Sequence, residues 1–380
     1  MKKKYVVLSI ITLVLLIAFV TSFNYFKTSN TYVENNSNNQ TKITKGISMN
    51  LEQTAGAGDY KQVTQSSWTT EGYKFNAELS KCENGGEISW DDTKKAVIVS
   101  GNLSDKCYVY FDIYQLTLAE YIKSQYTGTQ GDNALYYHNS TLTNGAGDNS
   151  YRYAGASDSV NNYICLGSDV ATCPDANLFR IIGVFGDKTK VIRAKSVGYQ
   201  QWHTSADNTW SSSSLNAYLN GTYLTSLGTI AEKIATTTWK VGGGSGSNIS
   251  ASVPKTAYKN EVGSSASTTI IDKKIGLMYV SDYGFAASPS AWTKTLGDYD
   301  GTDANGTSIK TINWMYMGYN EWTISRHSDN TNSAFFVNST GNVLGSNVGI
   351  DNGVRPSFNL ESSVKYVSGS GSMSDPVRVN

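Results

Sequence analysis

The segments Trp322-Thr-Ile-Ser-Arg326, Ala334-Phe-Phe-Val337, Gly341-Asn-Val343 and Gly353-Val-Arg-Pro356 restrict the C-terminal part of this chain more than any other feature. Short apolar groups separated by a glycine turn and a polar Asn/Ser/Gly stretch are the pattern of short strands that present a polar surface between them. Trp322, Arg326, Phe336 and Arg355 are read as the frame of that unit. The planar, five-donor fork of Arg355 suits a clamp on the loop ends. A contact to an anion or a sugar carboxylate is the competing reading. Between the frame residues, His327, Asp329, Asn330, Asn332, Asn338, Asn342, Asn347 and Asp351 need pack against nothing. They are expected to contact an extracellular ligand, a glycan or a protein. A plain solvated loop is the alternative.

Charge narrows the partners. Lys+Arg and Asp+Glu both total 31, so neither a basic surface for nucleic acid nor an acidic tail is present. Charged residues are only 16%, while 25 Tyr and 35 Gly accompany abundant Ser, Thr and Asn. Surfaces of that kind suit recognition, because Tyr offers area at low entropic cost and Ser, Asn and Gly offer adjustable hydrogen bonds. A composition bias of the whole genome would give the same totals.

The N-terminus sets the compartment. Lys2, Lys3 and Lys4 precede an apolar run over residues 5–23, close to the roughly 20 residues that span a bilayer. It is read as an uncleaved, single-pass signal anchor that places the rest of the chain outside the cell. Cleavage near Val20-Thr-Ser22 would make the protein secreted instead. The four cysteines, Cys82 with Cys107 and Cys165 with Cys173, read as disulfides in an exported chain. Zinc is disfavoured, since no Cys-x-x-Cys pair exists and His138, His203 and His327 are scattered.

Along the chain, residues 1–23 are the expected transmembrane helix and residues 24–60 a flexible stalk. Residues 61–112 are a small all-β module stapled by Cys82–Cys107, with Lys95-Ala-Val-Ile-Val99 and Cys107-Tyr-Val-Tyr-Phe111 as strands. Residues 113–380 are the main domain. Its helices are expected near Leu116-Thr-Leu-Ala-Glu-Tyr-Ile122, after Trp210, where Asn220-Gly221 ends the segment, and at Ile230-Ala-Glu-Lys-Ile-Ala235. Residues 127–160 are expected as loop. Leu178-Phe-Arg-Ile-Ile-Gly-Val-Phe185 and Lys190-Val-Ile-Arg-Ala194 are a hairpin. Lys274-Ile-Gly-Leu-Met-Tyr-Val280 is a strand, and a hairpin of Val364–Val367 with Pro376–Val379 closes the chain.

Four ordered pieces carry a family resemblance. Phe179-Arg-Ile-Ile-Gly-Val-Phe185 with Val191-Ile-Arg-Ala194, Trp210 to Asn220, Ile275-Gly-Leu-Met-Tyr-Val-Ser281, and Trp322 to Arg326 with Gly353-Val-Arg-Pro356 occur in sequence. Together they resemble an exported bacterial domain-of-unknown-function family with a WLRSP/GVRP ending (DUF6273-like). That resemblance implies an α+β, C-type-lectin-like or formylglycine-generating-enzyme-like fold with two or more helices and short antiparallel strands. It also implies that the final strands and loop meet a ligand. Asn216, Tyr218 and Trp322-Thr-Ile-Ser-Arg326 depart from the family pattern of Arg, Trp and Trp-Leu-Arg-Ser.

Catalysis finds little support in the motifs. No Gly-x-Ser-x-Gly elbow, His-Glu-x-x-His helix or phosphate-cradling glycine loop occurs. Glu321 with Asp329 could be drawn as a glycosidase pair, which keeps a hydrolase acting on polysaccharide or cell wall as an alternative. A passive envelope component is another. Asp298, Asp300 and Asp303 crowd hard oxygen ligands into one loop, but without EF-hand spacing they are read as a solvated turn rather than a Ca²⁺ site. No cofactor is expected.

Overall fold

The computed structural model describes residues 46–63, 72–102 and 105–380. The expected membrane anchor over residues 1–23 and the stalk's residues 24–45 lie outside the described residues. No helix among the described residues is long and apolar enough to cross a membrane. The α+β, C-type-lectin-like architecture expected above is corrected to a mostly β one, 36% strand against 19% helix. The physical reason is that the helical segments are only one to three turns long, whereas short strands form even where the sequence reads as loop, as at Leu135–Tyr137 and Tyr151–Tyr153. Two compact units divide the chain after Ile113.

In the first unit, the four-stranded sheet runs in the order Tyr60–Val63, Gly46–Glu52, Lys106–Ile113, Tyr73–Cys82. The strand Gly46–Glu52 falls within the stretch expected as stalk. Its Ile47-Ser-Met49-Asn-Leu51 repeat puts apolar groups on one face, and Met49 and Leu51 are buried against Val109 and Phe111. A hairpin of Gly86–Asp91 and Ala96–Gly101 sets the Trp90 ring edge-on to Phe111 and stacked on Phe75. Cys82 and Cys107 are opposite one another on antiparallel strands and are disulfide-bonded.

The second unit holds the larger core. One sheet follows Ile275–Gly276, Ser357–Leu360, Lys188–Arg193, Leu178–Phe185, Tyr163–Cys165, Val377–Val379 and Tyr366–Ser368. Tyr151–Tyr153 also pairs with Leu178–Phe185, and Leu135–Tyr137 pairs with Tyr151–Tyr153. A second sheet runs Tyr199–Gln201, Asp351–Gly353, Glu321–Arg326, Ser333–Val337, Val343–Asn347. Cys165 and Cys173 form the other disulfide, at the entry to the Leu178–Phe185 strand. Trp202, Trp210, Trp239, Trp292, Trp314 and Trp322 are all buried, so the aromatic content serves the core before it serves any surface.

Two local expectations change. The segment after Trp210 does not stop at Asn220-Gly221 but continues as helical turns through Leu224–Ser226. There Asn220 faces sideways, accepting from the Ile275 N–H at 2.9 Å and donating to its carbonyl at 2.8 Å. That pairing occupies the amide that would otherwise compete with the helix backbone. The expected strand 274–280 is only Ile275–Gly276, because Val280–Ala286 turns helical with an Asp282 capping bond to the Tyr279 N–H.

Candidate functional site

The C-terminal polar stretch folds as a hairpin. Ser333–Val337 pairs antiparallel with Val343–Asn347, and Asn338 closes the turn by accepting from the N–H groups of Thr340 (3.0 Å) and Asn342 (2.9 Å). The Asn342 amide oxygen accepts from the Asp300 N–H at 2.7 Å. Asn330 and Asn347 accept within their own turns, from Asn332 and Gly349, and Asn332 accepts from the Ser333 hydroxyl. His327 lies flat on Phe335 with ring centroids 4.1 Å apart, its Nδ1 3.3 Å from the Asp329 carboxylate. Asp329, Asn330, Asn347 and Asp351 are exposed. Three of these side chains, Asn330, Asn338 and Asn347, therefore hold the hairpin's own backbone.

The frame residues sit beneath. Trp322 donates its indole N–H to the Gln200 carbonyl at 2.9 Å and meets the half-buried Phe336 edge-on. Arg355 is buried and grips Glu321 with two nitrogens. Because both Glu321 oxygens face that guanidinium while Asp329 lies exposed, the glycosidase drawing of Glu321 with Asp329 gains nothing from the geometry. Arg326 donates to Asn208 at 3.0 Å. Asn208 is a residue that sequence reasoning missed. It is fully buried, and its amide nitrogen reaches the carbonyls of His327 (2.8 Å), Asn330 (2.7 Å) and Ser333 (2.7 Å).

The acidic loop is likewise built from turn bonds. Asp303 is buried and accepts from the N–H groups of Asn305 (2.9 Å) and Thr307 (2.8 Å), and Asp298 accepts from the Thr295 hydroxyl. Asp300 is exposed. Among the described residues, no group of three or more His, Cys, Asp or Glu side chains could hold a metal ion.

A concave site does exist elsewhere in the second unit. A half-open groove of about 620 Å³ runs beside the helix Leu118–Ser124 and the chain around Ala134, Tyr153 and Asn161. The helix begins at a capping box, with Thr117 accepting from the Glu120 N–H (3.2 Å) and the Glu120 carboxylate from the Thr117 N–H (2.8 Å). Leu118, Ala119 and Ile122 anchor it in the core, and this leaves Tyr121 and Gln125 on the groove side. Tyr121 stacks on Tyr366 at 3.6 Å, and burial with the neighbouring Tyr366 hydroxyl pushes its phenol up to about 12. It is therefore a neutral donor at any physiological pH.

The opposite wall is shaped by backbone that few residues adopt. Asn133 and Ala134 are both left-handed, with φ of 56° and 57°. Two contacts hold them there, Asn133 Nδ2 to the Gln125 carbonyl at 2.8 Å and the Ala154 N–H to the Ala134 carbonyl at 3.0 Å. Gly155, at φ 132°, continues the wall and donates to the Ala286 carbonyl. Consecutive strained residues persist only where surrounding contacts over-determine them, and such places cluster at binding sites. Tyr136 and Tyr153 supply further ring surface, while Asn161, Ser159 and Ser370 supply amide and hydroxyl groups. No charged side chain lines the groove among the described residues.

Residues 186–362 match the family model described as a domain of unknown function (DUF6273). No curated protein and no solved structure matches the chain. Most of the groove's residues precede the matched segment, with Ser288 and Ile312 its contributions from within.

Proposed function

We propose that this is an exported binding protein whose second unit takes an uncharged, hydroxyl-rich ligand, a glycan segment, in the groove between Tyr121 and Asn161. The observation that carries the reading is the groove's lining: tyrosine rings, side-chain amides and serines, without formal charge. Tyrosine faces cover the apolar C–H faces of a sugar, while amides and hydroxyls exchange hydrogen bonds with its hydroxyls. An anionic ligand would find no cation here, and a lipid tail would meet too many polar groups. The two disulfides suit an oxidising, extracellular setting.

A second reading keeps the ligand on the hairpin at 327–352. It is favoured by the exposed Leu344 and Ile350 beside Asn347 and Asp351, a mixed surface of the kind that meets proteins. A panel of neutral and acidic oligosaccharides, titrated against the full chain with and without Tyr121→Ala and Asn161→Ala, separates the two. Saturable binding to neutral members, lost in the groove variants, is the expected result. Binding unchanged by both substitutions, or no binding to any neutral member, would remove the groove from consideration.

A further inference from the structure

Lys190 is the most unusual cation of the second unit. It lies in the strand Lys188–Arg193, between two neighbouring strands of the large sheet, and is 5% exposed. Its ammonium is enclosed by rings, with Tyr279, Trp239 and Phe185 centroids 4.6, 5.4 and 5.8 Å away. An ammonium has three N–H donors. The hydrogen-bond acceptor it meets among the described residues is a single carboxylate oxygen, Asp282 Oδ2, at 2.5 Å. Desolvating an ammonium with one acceptor is costly. Burial accordingly holds the Lys190 amine below its ordinary value, although Asp282 pulls the other way.

Asp282 is equally fixed. It is the third residue of the helix Val280–Ala286 and 3% exposed, and the same Oδ2 accepts from the Tyr279 N–H at 2.8 Å. Its Oδ1 lies 3.7 Å from Nη1 of the buried Arg152, whose other charge partner is Asp148 at 2.6 Å. A nucleophilic nitrogen thus abuts a carboxyl group whose two oxygens face a backbone N–H and a guanidinium. Such an arrangement stabilises a tetrahedral oxyanion. Holding both partners rigidly in a dry pocket also replaces a bimolecular encounter by a unimolecular one.

We propose that Lys190 and Asp282 condense to an intramolecular amide, a covalent cross-link between the large sheet and the helix Val280–Ala286. The ammonium first passes one proton to Oδ2 of Asp282; the freed Nζ lone pair then attacks Cγ, and the tetrahedral oxyanion forms on Oδ1, which faces Arg152. A second proton then passes from the nitrogen of the adduct to Oδ2, the Cγ–Oδ2 bond breaks and one water leaves. The net change, ammonium plus carboxylate to amide plus water, requires no oxidant or reductant. The product retains one N–H facing the rings and one carbonyl oxygen for Arg152, so the unmet donors of the ammonium disappear. The charge balance is also preserved, because a cation and an anion vanish together and Arg152 keeps Asp148.

The test is a peptide map of the full chain by mass spectrometry after denaturation and disulfide reduction. The expected species is one cross-linked peptide containing Lys190 and Asp282, lighter than the sum of its parts by one water, with no tryptic cut after Lys190. Asp282→Asn should give the same cross-linked mass, since ammonia leaves in place of water. Lys190→Met should release two linear peptides. Recovery of linear wild-type peptides with free Lys190 and Asp282 overturns the proposal, and so does a water loss at Asp282 that persists in Lys190→Met. The wild-type map decides even if a variant fails to fold.

Discussion

Arg355 and Glu321 meet face to face in the core of the second unit, with Nε 2.5 Å from Oε1 and Nη2 2.9 Å from Oε2. Arg355 also donates to the Met315 carbonyl at 2.8 Å. A second buried guanidinium, Arg180, lies near enough to feel the first: burial, and to a smaller extent Arg355, brings it down to about 10. Arg180 itself meets neutral partners, among them Asn162 and the Trp314 carbonyl. Glu321 is thus paired with Arg355, while Arg180 is held by neutral groups and rings.

Removing that carboxylate should be the worst single change in this region. Glu321→Gln is expected to cost about 3–5 kcal/mol, the range for breaking a buried ion pair from one side. Glu321→Leu combined with Arg355→Met should cost less than either substitution alone, because no unpaired charge remains. Urea unfolding followed by tryptophan fluorescence measures both, since six of the buried indoles belong to this unit. Additive losses in the double variant would contradict the argument.

The two disulfides should not be equal in consequence. Chain entropy assigns about 3.5 kcal/mol to a link of the Cys82–Cys107 span, 25 residues, and about 2.5 kcal/mol to one of the Cys165–Cys173 span, 8 residues. Among the described residues, the first unit's buried apolar cluster is Met49, Leu51, Val109 and Phe111, so it has little else to fall back on. Cys82→Ala with Cys107→Ala should unfold the first unit at lower denaturant than the second, visible as early proteolytic loss of residues 46–113. Cys165→Ala with Cys173→Ala should leave the second unit folded at the same denaturant concentration.

What the sequence reveals of this molecule depends on whether a feature is local. The cysteine pairs were readable because the four cysteines fall into two local pairs, and the Leu178 to Ala194 hairpin because Gly186-Asp-Lys-Thr189 is turn chemistry. The strand Gly46–Glu52 hid within a polar stretch, since three alternating apolar residues are too few to outweigh their neighbours. The groove was invisible for a different reason. Its wall at Asn133, Ala134 and Gly155 lies in residues 127–160, which composition marks as loop, and the contacts that fix it come from Gln125, Ala154 and Ala286. Lys190 and Asp282 are 92 residues apart, and neither carries a local signal. The mostly β outcome followed from the same limit, because strands of three residues such as Tyr151–Tyr153 exist only by virtue of distant partners.

Acid should weaken the second unit through Asp148. Burial raises its carboxyl, but the Arg152 guanidinium and Ser150 outweigh burial and bring it from 3.8 down to about 2. A group depressed in the folded state stabilises above its unfolded value, and that stabilisation disappears as pH falls through the folded value. The stake is roughly 2 kcal/mol, lost between about pH 4 and pH 2. Asp148→Asn should flatten the stability curve across that window while lowering stability at neutral pH. A curve with unchanged slope in the variant would assign the acid sensitivity to another group.

Asn208 offers the sharpest test of what holds the hairpin at 327–352. Its nitrogen donates to the carbonyls of His327, Asn330 and Ser333, and its oxygen accepts from Arg326. Asn208→Ala leaves buried carbonyls and a guanidinium short of partners and should cost about 2–3 kcal/mol. Asn208→Asp is the more telling change, because it keeps the shape and would gain an ion pair with Arg326. If the charge were the main contributor, Asp would be tolerated. The geometry argues the reverse, since a carboxylate has no N–H and would confront three carbonyl oxygens at close range. The aspartate variant should therefore be at least as destabilised as the alanine one, and amide exchange should accelerate across residues 327–333 in both. An aspartate variant as stable as the parent would show that Arg326, rather than the carbonyl clamp, fixes the hairpin's entry.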